Sequence, residues 1–217
     1  MTGRIDNPTH KQMEEFYKRK LPHIQPKGAT LFVTFRLAGS LPQAAIAKLR
    51  AARESEMRIA ATNEDRYLVE RRHFGRFDEA LHLSNGPHYL QQPALAQIVA
   101  DSLHHRDQHV YRLDAFSILS NHAHVVFAPL QKERYLDGSP QYHKLSKIMQ
   151  SLKRHTAQEC NRLLGRQGAF WQAESYDHIV RDEAEWERIV RYVLNNPVKA
   201  GLVSEWWEWP YTYLRSD

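Results

Sequence analysis

Residues 29–37 read ATLFVTFRL, an aromatic and β-branched run that predicts a first strand. From Gly39 to Thr62 the chain opens on turn residues, puts Pro42 where a helix starts, and continues with strong helix formers and scattered charge. That pattern predicts a long exposed helix. Residues 63–93 mix charge, histidine, glycine and proline without a sustained period, and predict an irregular insertion with one short helix. Helical spacing resumes in ALAQIVADSLHHR, residues 94–106. Two apolar stretches follow, YRLDAFSIL and HAHVVFAPL, joined only by Ser120 and Asn121, and predict two strands around a tight connection.

Between Tyr142 and Leu164 the residues Leu145, Ile148, Met149 and Leu152 form one apolar stripe on an otherwise basic helix. SYDHIVRD, residues 175–182, predicts a further strand. The last predicted helix runs from about Glu183 to Asn195 with Trp186, Ile189, Val190 and Val193 as its core face. Pro197 is expected to end it, because proline disfavours the helical conformation of the residue before it. Paired strands set between helices argue for an α+β sandwich with helices packed on a mainly antiparallel sheet, and against a doubly wound parallel fold.

Composition adds three limits. The 217 residues fit one substantial domain, preceded by a polar, basic lead over residues 1–28. Thirty Lys and Arg against 25 Asp and Glu leave a net charge of +5, which favours a polyanionic partner. The single cysteine, Cys160, excludes internal disulfides and cysteine-rich zinc sites and suits a reducing compartment. No apolar run reaches the length of a membrane span, and the polar start lacks the apolar core of a signal peptide. A cytoplasmic location is the expectation.

The chemistry begins at SNHAHVVFAPL. Residues two apart on a strand share a face, so His122 and His124 would project side by side with Ala123 turned away. Two parallel imidazoles can ligate one metal ion; they can equally be ordinary strand residues in a chain with 13 histidines. The second candidate is on the last helix. Glu185, Arg188 and Tyr192 lie off its apolar stripe, directing the phenol towards solvent or a cleft, and Asn196 follows one turn later. A metal at the histidines and a phenolate at Tyr192 together would serve phosphodiester transesterification.

NHAHVV, RYVLNNPVKAGLV, LFVTFRLAGSLP, FWQAESYDHIVRD and EWWEWPYTY, in this order of argument, carry a family resemblance. The chain resembles the REP-associated tyrosine transposases, relatives of the single-tyrosine insertion-sequence transposases in the HUH endonuclease superfamily. The resemblance implies a ferredoxin-like core over residues 29–217, with His122, His124 and Asn196 as metal ligands, Mg or Mn as the ion, and Tyr192 as nucleophile. It also implies a bacterial, chromosome-associated protein, monomeric or dimeric. Its DNA would be single-stranded with REP-like hairpins, cleaved to a 5′-phosphotyrosine and a free 3′ hydroxyl. Ser120, where the family often has proline, and the small Ala123 depart from the pattern without removing a ligand.

Lys153, Arg154, Arg162 and Arg166 on the basic helix are the expected phosphate contacts, with Lys18, Arg19, Lys20 and Lys27 of the lead able to close over DNA. Two other readings stay open: a domesticated hairpin-binding protein that does not cut, and a zinc hydrolase that uses water and dispenses with Tyr192.

Overall fold

A computed structural model describes residues 28–134 and 138–216; the basic lead with Lys18, Arg19, Lys20 and Lys27 lies outside the described residues. In chain order the elements are β1 (Leu31–Arg36), α1 (Gln43–Ile59), α2 (Asn63–His82), α3 (Pro93–Arg106), β2 (Tyr111–Ile118), β3 (His122–Pro129), β4 (Gln131–Arg134), β5 (Pro140–Tyr142), α4 (Leu145–Leu163), β6 (Tyr176–Ile179), α5 (Glu183–Lys199) and β7 (Thr212–Leu214). The main sheet has the order β6-β1-β3-β2-β7, and every neighbouring pair is antiparallel. β4 and β5 form a separate ribbon. The inner order, with helical crossovers from β1 to β2 and from β3 to β6, is that of a ferredoxin-like α+β sandwich, extended by β7 at one edge.

Alternation along the strands sorts side chains between two layers. Leu31, Val33 and Phe35 of β1 and Ala123, Val125 and Phe127 of β3 join Val99, Leu103, Ile148 and Leu152 of α3 and α4 in the larger core. Phe32 and Val126 point the other way and meet Ile189, Val190 and Val193 of α5 and Phe74 of α2. β2 supplies Leu113, Phe116 and Ile118 to the larger core and Ala115 to the other, its alternation changing phase at the register shift between Leu113 and Ala115. The second layer is the polar one: Thr34, Ser117, His122 and His124 are all buried there, with Thr34, His124 and Ser117 in register across β1, β3 and β2.

Two expectations about where helices form and end need correction. The segment expected to be irregular contains a 20-residue helix, α2. Its start is a capping box in which Thr62 Oγ1 accepts the Asp65 N–H at 3.0 Å and Asp65 Oδ2 accepts the Thr62 N–H at 2.9 Å. Its periodicity is faint because the buried positions are Val69, Phe74, Asp78 and Leu81. A carboxylate stands where the helical period calls for an apolar residue. The other correction concerns Pro197, which lies inside α5 and does not end it. Pro197 falls in the last turn, where one lost N–H bond is tolerated, and it is itself buried beside Val193 and Leu194. The helix closes only at Gly201, whose φ of 69° suits a glycine and whose N–H reaches Val198 O at 2.9 Å.

Glu185, expected on the polar side of α5, is 1% exposed and ties α5 to α2 and β6. It accepts hydrogen bonds from Tyr67, from His178 at 3.1 Å, from Arg181 Nε at 3.0 Å and from Arg188 at 3.0 Å. The Arg181 guanidinium also lies 3.5 Å above the Tyr67 ring. Burial alone would raise the Glu185 carboxyl; the bonds from His178, Tyr67 and Arg181 outweigh it and hold the group well below the usual range.

A depressed folded-state value stabilises the fold above the unfolded carboxyl's pKa of about 4.3, and that contribution is lost as pH falls below it. Acid titrations followed by circular dichroism should therefore show a shallower loss of stability below that pH in Glu185→Gln than in the parent chain; parallel curves would refute the role. In the larger core, Phe35 is 1% exposed and meets Trp171 edge-on at 4.8 Å. Phe35→Ala should cost about 3–5 kcal/mol in urea denaturation.

Candidate functional site

His122 and His124 project from β3 onto the polar layer, as their spacing requires, and their Nε2 atoms lie 3.1 Å apart with no solvent exposure. Ala123 is buried in the opposite core. Each ring is held from behind. Asn121 Nδ2 donates to Leu81 O at 2.8 Å, which turns Asn121 Oδ1 towards His122 Nδ1 at 2.6 Å. An amide oxygen only accepts, so His122 carries its proton on Nδ1 and aims a lone pair from Nε2. His124 Nδ1 meets Thr34 Oγ1 at 2.7 Å across the β1–β3 pair.

The group that the two Nε2 atoms face comes from α2. Asp78, with no exposed surface, has Oδ1 at 3.1 Å from His124 Nε2 and 3.4 Å from His122 Nε2. Its Oδ2 pairs with Lys199 Nζ at 3.3 Å. Burial would raise its carboxyl, but the imidazoles of His122 and His124 that face it hold it far below the ordinary value. His82, one turn after Asp78, stands with its ring 5.5 Å from that of His122 and its Nε2 2.9 Å from Asn196 Oδ1. Burial pushes the His122 imidazole down to about 4 and lowers His82 as well. Both rings therefore stay neutral, the form that binds metal. Neither Asp78 nor His82 was expected. The available signal was their four-residue spacing behind the Thr62 and Asp65 capping pair.

Tyr192 does not point to solvent or to an open cleft. Its ring packs among Phe32, Phe74 and His124, with centroid distances of 6.2, 5.7 and 5.6 Å. Its hydroxyl is buried and has no hydrogen-bond partner among the described residues. Burial first, and then the Asp78 charge, push the phenol far above its ordinary pKa. Lys199 Nζ lies 5.8 Å from the ring centre. Because α5 continues through Pro197, Asn196 keeps its helical register one turn from Tyr192. Its Oδ1 faces His82 and its buried Nδ2 is without a partner among the described residues.

No protein-family model matches the chain. Over 109 residues it is 27% identical to a Haemophilus influenzae protein named as a REP-associated tyrosine transposase. The match takes in 48% of this chain, which thus spans 58% of that relative's length. A solved structure of a REP-associated tyrosine transposase bound to a REP hairpin aligns with a TM-score of 0.48 at 16% identity, covering 90% of this chain and 82% of that one. The chain resembles REP-associated tyrosine transposases.

The basic residues expected to contact DNA are not gathered at the histidines. α4 belongs to the opposite layer of the sheet. Arg162 is exposed and pairs with Glu159 at 3.0 Å, Arg166 lies 4.9 Å over the Tyr89 ring, and Arg154 is exposed. Lys153 turns inward: its Nζ donates to the carbonyls of Gln172, Ala173 and Glu174 at 2.9–3.3 Å, and burial lowers its pKa to about 8. Trp171 is buried in the core. No helix among the described residues is long and apolar enough to cross a membrane.

Does the cluster suit a metal ion? His122 Nε2, His124 Nε2 and Asp78 Oδ1 form a triangle with edges of 3.1, 3.1 and 3.4 Å. Ligands about 2.0–2.2 Å from one ion are separated by roughly such distances. The fixed tautomer of His122 sets a lone pair against a carboxylate, an arrangement that a cation or a proton must bridge. Asp78, His82 and His122 also each offer a donor atom within 4.8 Å of the others. The residues fit. If the Thr34 hydroxyl orients His124 as a ligand, Thr34→Val should lower Mn2+ affinity about 10–100-fold in calorimetric titration. Affinity equal to that of the parent would exclude that role.

Proposed function

We propose that the chain is a metal-dependent, transposase-like strand transferase acting on single-stranded DNA with hairpin-forming repeats. In this reading Tyr192 cuts one strand and retains its 5′ phosphate. The observation that carries the reading is the position of Tyr192: its ring lies 5.6 Å from that of His124, beside two imidazoles and a carboxylate and one turn before Asn196. The sequence likeness to a protein named as a REP-associated tyrosine transposase supports the choice of DNA as substrate.

Tyr192 Oη would attack phosphorus while the bond to the 3′ oxygen breaks, giving a 5′-phosphotyrosine and a free 3′ hydroxyl. The linkage stays a phosphodiester, so a second 3′ hydroxyl can reverse the step and join new ends without an added energy source. A divalent metal held by His122, His124 and Asp78, with His82 and Asn196 alongside, would polarise the scissile phosphate and offset the charge that builds on it. Two or more imidazoles with one carboxylate suit Mn2+ better than Mg2+. Lys199, which pairs with Asp78 and lies near the Tyr192 ring, supplies positive charge where the phenolate forms. His122, His124, Asp78 and Asn196 have no exposed surface, so entry of a phosphodiester requires α2 and α5 to part.

With a labelled hairpin repeat and Mn2+, a denaturing gel should show a covalent protein–DNA band for the parent chain and none for Tyr192→Phe, at similar hairpin affinity. A band that persists in Tyr192→Phe removes Tyr192 from the reaction. Hairpin binding without any band in the parent chain indicates a protein that holds such DNA and does not cut it.

A further inference from the structure

Next to the histidine cluster, on the same layer, lies a cavity of about 180 Å3 lined by Thr34, Arg36, Phe74, Phe77, Tyr176 and Glu174, among others. It adjoins the proposed reaction centre directly. Thr34 bonds His124, and Phe74 touches both the His124 ring at 6.0 Å and the Tyr192 ring at 5.7 Å.

Its polar anchor is Arg36, which is only 7% exposed. Arg36 Nη1 donates to Ser40 Oγ at 3.0 Å, and the guanidinium lies 5.7 Å from the centre of the Phe77 ring. No carboxylate among the described residues lies within 4.0 Å of it; Glu174 acts on it only through longer-range charge. A buried cation is normally paired with an anion, so a guanidinium left with one hydroxyl partner has donors to spare for a ligand. Ile46 and Leu49 lie beside the three rings, and His73, Gln172 and Ser175 add polar groups to the lining. The rings suit the flat face of a heterocycle, and the polar groups suit its edge. At the mouth, Arg50 and Glu174 pair at 3.3 Å with 63% and 73% of their side chains exposed, a weak contact that can open at little cost.

We propose that this cavity receives one unpaired nucleobase from the nucleotide beside the scissile phosphate, and that Arg36 selects guanine there. The guanidinium fork matches the two acceptors O6 and N7, which no other base presents together. Phe74, Phe77 and Tyr176 supply the stacking surface. Arg36 is thus a specificity residue for the DNA, separate from the groups at Tyr192. The proposal rests on the reading of the site as one that handles single-stranded DNA.

The test measures fluorescence anisotropy of the full chain with labelled oligothymidylates that carry one central guanine, 7-deazaguanine, adenine, cytosine or abasic residue. Guanine should bind roughly tenfold more tightly than the abasic probe, and 7-deazaguanine, which lacks N7, should lose part of that gain. Arg36→Lys, which keeps the charge and loses the fork, should level the series, and Phe77→Leu should weaken every base relative to the abasic probe. If Arg36→Lys does not fold, the 7-deazaguanine comparison and Phe77→Leu decide. Equal binding of guanine and abasic probes overturns the proposal, as does a guanine preference that survives in Arg36→Lys. Inorganic phosphate that competes equally against both probes, and only when Arg36 is present, assigns the cavity to phosphate and overturns it too. Guanine preference without a covalent band would leave this site standing and refute the proposed strand transfer; a covalent band without base preference would do the reverse.

Discussion

Two imidazole nitrogens 3.1 Å apart, sealed from water and facing a buried carboxylate, are the constraint around which this structure is arranged. Such a cluster is costly to bury unless every lone pair and proton has a partner. The surroundings supply all but one of those partners from four elements: Thr34 on β1, Asn121 at the turn before β3, Asp78 on α2 and Lys199 on α5. The tautomer that Asn121 fixes on His122 leaves a lone pair pointing at Asp78. The second layer is thus short of positive charge at its centre.

The division of labour between the two layers follows from this. One face of the sheet is closed by α3 and α4 over an almost wholly apolar core that carries the stability of the fold. The other face accepts buried polar groups and an unpartnered phenol, and it is covered by α2 and α5, which are fastened by a charged cluster around Glu185. Tyr192 sits in that second layer with its buried oxygen lacking a well-formed hydrogen bond among the described residues. Reactive groups held this way gain by any rearrangement that brings them a partner.

Much of this was legible from sequence. Strand β1 follows from its aromatic and β-branched content, β2 and β3 from two apolar stretches around a tight connection, α1 from helix formers behind Pro42, α4 from its apolar stripe, and the shared face of His122 and His124 from the period of two. α2 was illegible for the opposite reason. Asp78 occupies its buried stripe, so the residue that matters most to the site erased the signal of the helix that carries it. Tyr192 was placed on the right helix but on the wrong side of the solvent boundary, since helical phase cannot tell that Phe74 of a distant segment covers it. Pro197 misled as a boundary because tertiary burial outweighed a local backbone penalty. Arg36, in turn, reads as a strand residue like any other until the cavity beside it is seen.

Cys160 adds a consequence of a different kind. It is fully buried on α4, and burial, with the nearby Glu159 charge, pushes its thiol up to about 12. At neutral pH it holds its proton and lies out of reach of alkylating reagents and peroxide. It is also the chain's one cysteine, so towards thiol chemistry the protein behaves as if it had none. A cysteine introduced at an exposed position such as Leu83, at the end of α2, would be the sole point of attachment for a fluorophore or spin label. The helical cover over the histidines can be watched in motion without first stripping the protein of its own sulfur.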